Sequence, residues 1–431
     1  MFPLLSAASA YRVNFYSTAA RMRPYPRLSF CLRLICVCGL TSLLCAADTL
    51  ASSAPVPTRA ENDAATRRGF DHFYNLEYDK AIREFETAQQ AHPDDPFAVN
   101  HTLEGVIFRE LFRIGALDTE AYAGDNFLTK KLAAPLDPKV QARVRQLSDQ
   151  ALALSQARLD KNPNDVDALY ARGVTRGMRA TYSGIAERAW FSGLRSAVAA
   201  RHDHERVLEL DPNYVDAKVL VGTHLYIVGS LNWPTKVAAS IVGISGNKEK
   251  GLDYLRQGST EAHSEVASDA QIVYALFLRR EQKYDEALRV VGRMQSEFPR
   301  NELMAAEYAH LLNAAGHGQE AIAAYRKVLA NCRSNLYSSC RIGVPAYGLG
   351  EALRGQRQYQ EAADAYELAA TSSASDPDLR QKATLAAGQM YDVLQRRDTA
   401  LEKYRAVVAE NSTSGAADLA RHYMKQAYTS P

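Results

Sequence analysis

One spacing pattern recurs five times along this chain and constrains its fold more than any other feature. In each copy a small residue is followed twelve positions later by an Ala, and apolar residues stand four and seven positions after that Ala. The five copies begin at Gly69, Ala275, Ala309, Gly350 and Gly388. Apolar residues at i, i+4 and i+7 form one buried stripe on a helix, and the small residue allows a second helix to approach it. The pattern therefore predicts packed helix pairs, and its recurrence predicts a stacked array.

The distances between the second helices divide the array into two parts. Small residues mark these helices at Ala81, Ala151, Ala200, Gly251, Ala287, Ala321, Ala362 and Ala400. Successive marks are 49 to 70 residues apart before Gly251 and 34 to 41 residues apart after it. We therefore predict about eight helix pairs over 62–414, irregular and interrupted by insertions over 62–265 and regular over 266–414. The segment 415–431 is predicted to form a capping helix and a tail.

The clearest copies resemble a known repeat. Tyr-Gly-Leu-Gly-Glu-Ala-Leu at 347–353 with Tyr-Gln-Glu-Ala at 359–362, and Ala-Gly-Gln-Met-Tyr at 387–391 with Ala400 and Tyr404, resemble the tetratricopeptide repeat. That repeat is a helix-turn-helix unit of 34 residues. The resemblance implies an all-α right-handed solenoid that binds a protein or peptide along its concave groove and has no catalytic activity.

Aligning the repeats assigns an aromatic half and a polar half to that groove. The aromatic half comprises Phe70, Phe73, Tyr74, Tyr170, Met178 and Tyr226, and the polar half comprises Arg279, Arg280, His310, Asn313 and Arg354. An extended peptide with apolar anchors and an acidic end would suit such a groove. Alternatively, the insertions fill the groove and the aromatic residues belong to the core. A third interpretation is a transport accessory that binds a small ligand in a pocket closed by the insertions.

The first 47 residues have the pattern of a secretory signal. They contain five Arg residues and no acid, followed by an apolar run at 34–44 and small residues before Asp48. Met22 is an alternative start, a retained membrane anchor is the competing interpretation, and 48–61 is predicted to be a flexible leader. Removal of 1–47 leaves a net charge of −3, because it removes five of 51 basic residues and none of 49 acidic ones. This near-neutral charge does not favour nucleic acid as a partner, and the protein is predicted to be secreted and periplasmic.

Only two cysteines, Cys332 and Cys340, follow the signal. In an oxidising compartment such a pair predicts a disulfide, with two free thiols as the alternative. His202 and His204 are two residues apart, and on a helix this spacing places them on different faces, so we predict no metal site. No catalytic constellation or cofactor motif is evident from spacing.

Overall fold

The computed structural model describes residues 63–117, 134–231, 236, 245–261, 264–372 and 376–429. The predicted signal peptide and leader lie outside these residues. So do most of the inserted segments around 118–133 and 232–244.

The described residues form seventeen α-helices and no strand. The helices are α1 (Ala64–Tyr74), α2 (Tyr78–Ala91), α3 (Pro96–Arg113), α4 (Pro138–Lys161), α5 (Val166–Thr181), α6 (Trp190–Leu210), α7 (Val215–Gly229), α8 (Lys248–Glu261), α9 (Ser264–Arg280), α10 (Tyr284–Glu297), α11 (Glu302–Ala314), α12 (Gly318–Arg333), α13 (Gly343–Gly355), α14 (Tyr359–Thr371), α15 (Pro377–Val393), α16 (Arg397–Glu410) and α17 (Gly415–Lys425). A short π-helix, Tyr182–Ala186, follows α5.

Several helices begin with the same local chemistry. Asp95, Asp137 and Asp376 precede α3, α4 and α15, and each carboxylate accepts a hydrogen bond from a backbone N–H of the first turn. A proline follows each of these caps, where its fixed φ suits the helix and its missing N–H is no loss. The Pro-Asp-rich turns of the sequence therefore start helices at defined residues.

The helices stack in chain order as eight pairs, from α1 with α2 to α15 with α16, and α17 packs against the last pair. First helices of neighbouring pairs also touch, as α3 does with α5 and α13 does with α15. The odd-numbered helices thus form the surface that we call the inner face. The predicted all-α solenoid of the tetratricopeptide type, with its capping helix, is confirmed.

The small residues of the recurring pattern lie where the two helices of a pair approach each other. A Cβ added at Gly350 would lie 2.6 Å from the ring of Tyr366, and one at Gly388 would lie 2.7 Å from the ring of Tyr404. Both tyrosines are completely buried. In the fold, as the spacing predicted, the small residue therefore allows the two helices of a pair to approach each other closely.

The extra residues of the third pair lengthen it and contribute to the core. α5 continues into the π-helix, and α6 begins only four residues after that helix ends. Tyr182 and Ile185 of the π-helix are buried in one cluster with Ile107 and Leu111 of α3. This insertion therefore stabilises the first half of the stack.

Candidate ligand chamber inside the closed turn

The first helix pair packs against the fifth and sixth pairs, so the stack closes on itself. The ring of Tyr74 in α1 lies 5.0 Å from that of Phe298, which follows α10. The Tyr74 hydroxyl donates a hydrogen bond of 3.0 Å to Asp269 in α9. Met294 joins the same buried cluster. One apolar core therefore extends across residues that are about 200 positions apart in sequence.

Four residues make a polar latch at this contact: Tyr74, Asn75, Arg300 and Asn301. The Asn301 amide donates to the Tyr74 carbonyl at 2.6 Å, and the Arg300 backbone N–H donates to the Asn75 side chain at 2.9 Å. Both asparagines are buried. Since buried backbone groups need partners, these bonds fix the first pair against the turn that precedes α11.

Charged groups surround the latch. The Arg300 guanidinium lies 3.0 Å from Asp71 and 3.3 Å from Glu77. Burial alone would raise the pKa of Glu77, but hydrogen bonds from Lys80 and His72 and the charge of Arg300 lower it to about 2. Glu77 therefore stays ionised at any physiological pH and keeps its attraction for Arg300.

The predicted disulfide between Cys332 and Cys340 is present, with 5.6 Å between the two Cα atoms. The loop that it closes reaches the first pairs. The Ser338 hydroxyl donates to the Leu76 carbonyl at 3.4 Å, and the Arg341 guanidinium lies 4.6 Å from the ring centre of Phe112. The disulfide thus holds a loop that contacts the first helix pair.

The closure creates two neighbouring cavities, which together we call the chamber. The first has a volume of about 120 Å³ and lies among α1, α3, α5 and α7, and the second, of about 90 Å³, lies among α1, α9 and α11. Phe108 and Asp269 line both cavities. A cavity of about 150 Å³ is known to accept benzene, so each cavity alone is smaller than a site for one ring, whereas the two together have about the volume that a flat molecule of two fused rings needs.

A few polar side chains line the apolar walls. His101 is buried, and its Nδ1 has no hydrogen-bond partner among the described residues. Burial lowers the pKa of His101 to about 4, so the imidazole is neutral at pH 7. His204 Nδ1 lies 2.8 Å from the Ala200 carbonyl and must donate to it, which leaves Nε2 unprotonated in the neutral ring. The first cavity therefore combines aromatic walls with two neutral imidazoles.

Five of the six predicted aromatic-half residues line the chamber. Phe70, Tyr170 and Met178 line the first cavity, and Phe73 and Tyr74 line the second. All of these except Met178 are buried, so the four aromatic residues are not exposed along an open groove.

Tyr226 lies apart from the chamber. It is completely buried, stacks on Phe277 at 3.8 Å, and donates a hydrogen bond of 2.7 Å to Glu281. These contacts place it in the core between α7 and α9. The first cavity thus lies at Tyr170 and Met178, and Tyr226 lines neither cavity.

The predicted polar-half residues lie on the inner face beyond the chamber. Arg279 pairs with Glu307 at 2.9 Å, and both side chains are largely buried. Arg354 pairs with Glu351 at 2.6 Å. Arg280 is exposed, whereas His310 and Asn313 are half-buried. Their role in binding a partner stays a prediction.

The sequence reasoning missed most of the shared wall, notably His101, Phe108 and Asp269. One signal was available in the sequence of α3: apolar residues repeat along one face at Val99, Leu103 and Ile107, and Phe108 and Phe112 lie on another. Fourteen of the eighteen residues of this helix are buried. A first helix that faced an open groove would keep a polar stripe. Asp269 carried no comparable signal, because its position depends on the closure.

Among the described residues, no three His, Cys, Asp or Glu side chains cluster in a way that could hold a metal ion. In the same part of the chain, every helix is too short or too polar to cross a bilayer.

Comparisons with known proteins found similarity only among solved structures. No family model and no curated protein matches the chain. A tetratricopeptide repeat protein from Parabacteroides merdae is 13% identical, with a TM-score of 0.30, and the match covers 76% of this chain and 98% of that one. Human IFIT1, solved as a dimer with m7Gppp-AAAA, is 12% identical, with a TM-score of 0.40 and coverage of 84% and 82%. Identities and TM-scores this low do not identify a ligand for this chain.

Proposed function

We propose that this protein is an exported, non-catalytic helical-repeat scaffold whose chamber binds a small, mostly apolar molecule. The observation that supports this most is the pair of adjacent cavities with aromatic walls inside the closed turn. Ligand sites of soluble proteins are typically apolar concavities with a few placed polar groups. The chamber has this composition: His101 and His204 are neutral polar groups, and the carboxyl groups of Glu104, Asp216, Asp269 and Glu307 also line it.

Export rests on two features of the chain. The arginine-rich, acid-free start of the sequence has the pattern of a secretory signal. The disulfide is the kind of bond that persists in an oxidising compartment. Both features support a periplasmic or otherwise extracytoplasmic location.

Indole is a suitable first probe, because it is a flat apolar molecule with one N–H donor. We expect calorimetry to detect indole binding to the wild-type chain. Met178→Trp should abolish it, because the larger side chain fills the first cavity. Leu419→Trp is the matched control, since Leu419 is 47% exposed on α17 and far along the stack from the chamber. Equal binding by wild type and Met178→Trp would place the site elsewhere.

The polar part of the proposal is tested with His101→Phe. This change keeps a flat ring and removes the buried nitrogen. We expect it to weaken indole binding about fivefold, since one hydrogen bond contributes about 1 kcal/mol, and to leave benzene binding nearly unchanged. A loss that is equal for the two ligands would show that His101 contributes only shape.

A second function, polypeptide binding along the inner face of the last pairs, is favoured by where the polar-half residues lie. Arg280 is exposed on α9, and His310 and Asn313 are half-buried on α11. All three lie outside the chamber. We expect Arg280→Ala to reduce retention of a polypeptide partner from envelope extract without changing the melting temperature. Arg279→Ala is unsuitable for this purpose, because it removes the largely buried ion pair with Glu307. Unchanged retention by Arg280→Ala would remove this arginine from the binding surface.

A further inference from the structure

The end of the chain lies against the inner helices of the last pairs. After α17 the backbone becomes extended at Gln426, with φ −131° and ψ 120°. The Tyr428 backbone N–H then donates a hydrogen bond of 2.8 Å to Asp392 in α15. The tail 426–429 is therefore seated on the stack by a main-chain bond.

The carboxylate that receives the tail is held in place by other groups. Asp392 accepts hydrogen bonds from Arg397 at 2.8 Å and from the Tyr404 hydroxyl at 2.8 Å. Its side chain is completely buried. Arg397 also donates to the Tyr423 and Met424 carbonyls, at 2.7 and 2.9 Å, at the end of α17. Asp392 is thus a preorganised acceptor for one backbone N–H of an extended segment.

The side chain of Tyr428 occupies an aromatic position beside this acceptor. Its ring lies edge-on to Tyr423 with 5.3 Å between centres, and it packs on the core cluster of the last pairs. Arg354 interacts electrostatically with it: burial lowers the pKa of this guanidinium, but the phenols of Tyr366 and Tyr428 and the carboxylate of Glu351 raise it overall. Arg354 is also a residue predicted to line the groove. The tail therefore lies at one end of the surface proposed for polypeptide binding.

We propose that Gln426–Thr429 is an intramolecular pseudo-ligand that occupies a docking site for an extended polypeptide segment containing a tyrosine. The main-chain hydrogen bond to Asp392 recognises extended backbone, and the position next to Tyr423 and Arg354 recognises the aromatic side chain. Extended peptides are commonly recognised by main-chain bonds together with side-chain pockets. A partner segment must displace the tail, so the tail limits access to the site. This inference rests on the second proposed function and is independent of the chamber.

The test uses a chain that ends at Lys425 and a fluorescent peptide of sequence Gln-Ala-Tyr-Thr-Ser-Pro, which is 426–431. We expect the peptide to bind the shortened chain about tenfold more tightly than the full chain, because the full chain already fills the site. The same peptide with Ala in place of Tyr should bind about tenfold more weakly. Equal binding to both chains, or no binding to the shortened chain, would overturn the proposal.

A second variant covers the case in which the shortened chain does not fold. Tyr428→Ala in the full chain removes only the ring, and it should admit the peptide more readily than wild type does. Identical peptide binding by wild type and Tyr428→Ala overturns the proposal. A dimer that forms with rising protein concentration by exchange of the tail between two copies also overturns it. Indole binding measured on the same variants should be unchanged, which separates failure of this inference from failure of the chamber. If the peptide fails to bind while Arg280→Ala still reduces partner retention, only the role of the tail is lost.

Discussion

Gly350 lies in α13 directly against the ring of Tyr366. We expect Gly350→Ala to destabilise the protein by about 1–3 kcal/mol, since the added methyl overlaps a buried ring that cannot move freely. Gly355, at the end of the same helix, has no atom within 4 Å of an added Cβ.

Gly355→Ala is therefore the matched control, and it should be neutral or stabilising by up to about 1 kcal/mol. Urea denaturation of both variants measures the difference. If the two changes have equal effects, the close approach of α13 and α14 does not depend on Gly350.

Glu302, at the start of α11, is a buried carboxyl that interacts with the backbone N–H and the guanidinium of Arg341. Burial raises its pKa to about 7, although the charge of Arg341 acts in the opposite direction. The folded state therefore binds this proton more tightly than the unfolded state, for which the pKa is near 4.5. The stability due to neutral Glu302 is complete below pH 4.5 and decreases as the pH rises to about 7.

We expect Glu302→Gln to be more stable than wild type by about 2–3 kcal/mol at pH 8 and to differ little from it at pH 4.5. The free energy of unfolding of both proteins, measured across this range, gives the difference directly. A difference that does not change with pH would mean that Glu302 is ionised in the fold.

At the scale of elements, the latch determines whether α1 stays against the turn before α11. The Asn301 side chain both caps α11, by accepting from the Met304 N–H at 2.9 Å, and donates to the Tyr74 carbonyl. We expect Asn301→Ala to lose about 1 kcal/mol for the cap and a further 1–3 kcal/mol, roughly, for the unpaired carbonyl. It should also increase hydrogen exchange in α1.

Asp376→Ala is the control for this variant, because Asp376 caps α15, in the eighth pair, by accepting from the Leu379 N–H. It should lose only the cap and leave exchange in α1 unchanged. If both variants leave α1 protected, the apolar contacts of Tyr74 and Phe298 hold the closure without the latch.

At the scale of the whole molecule, the closure changes how a solenoid responds to a local change. An open stack transmits stability only between neighbouring pairs, whereas here Arg300 and Asn75 are bonded across 225 residues. Because the loop closed by the disulfide contacts Leu76, and Arg341 directly after it contacts Phe112, the order of this segment and that of the first pairs are coupled.

We therefore expect the double variant Cys332→Ser/Cys340→Ser to lose about 2.5 kcal/mol of stability in the chain-entropy description of a short loop. Its hydrogen exchange should increase in α1 and α3 as well as in α12 and α13. Reductant should reproduce this pattern in wild type and have no effect on the double variant. Increased exchange confined to α12 and α13 would contradict the coupling.

Much of the fold could be predicted from local spacing. Gly350 with Tyr366, and Gly388 with Tyr404, identified helix pairs because the approach of two adjacent helices depends on residues sixteen positions apart. The candidate site was only partly predictable. Repeat alignment assigned Phe70 and Tyr170 to a groove, but it did not reveal that these residues line a cavity. Tyr226 occupies the repeat position of Phe73, four residues after the small residue of its unit, and nevertheless lies in the core.

The sequence by itself determined the helix pairs, their order, the capping helix and the pairing of Cys332 with Cys340. These features depend on periodicity and short loops, which are local properties of the chain. Only the tertiary structure decided that α1 meets Phe298 and Asn301, that a chamber results, and that the tail lies at Asp392. The physical reason is that small rotations between successive pairs accumulate along a solenoid. Whether distant pairs meet depends on the sum of these rotations, which no local pattern records.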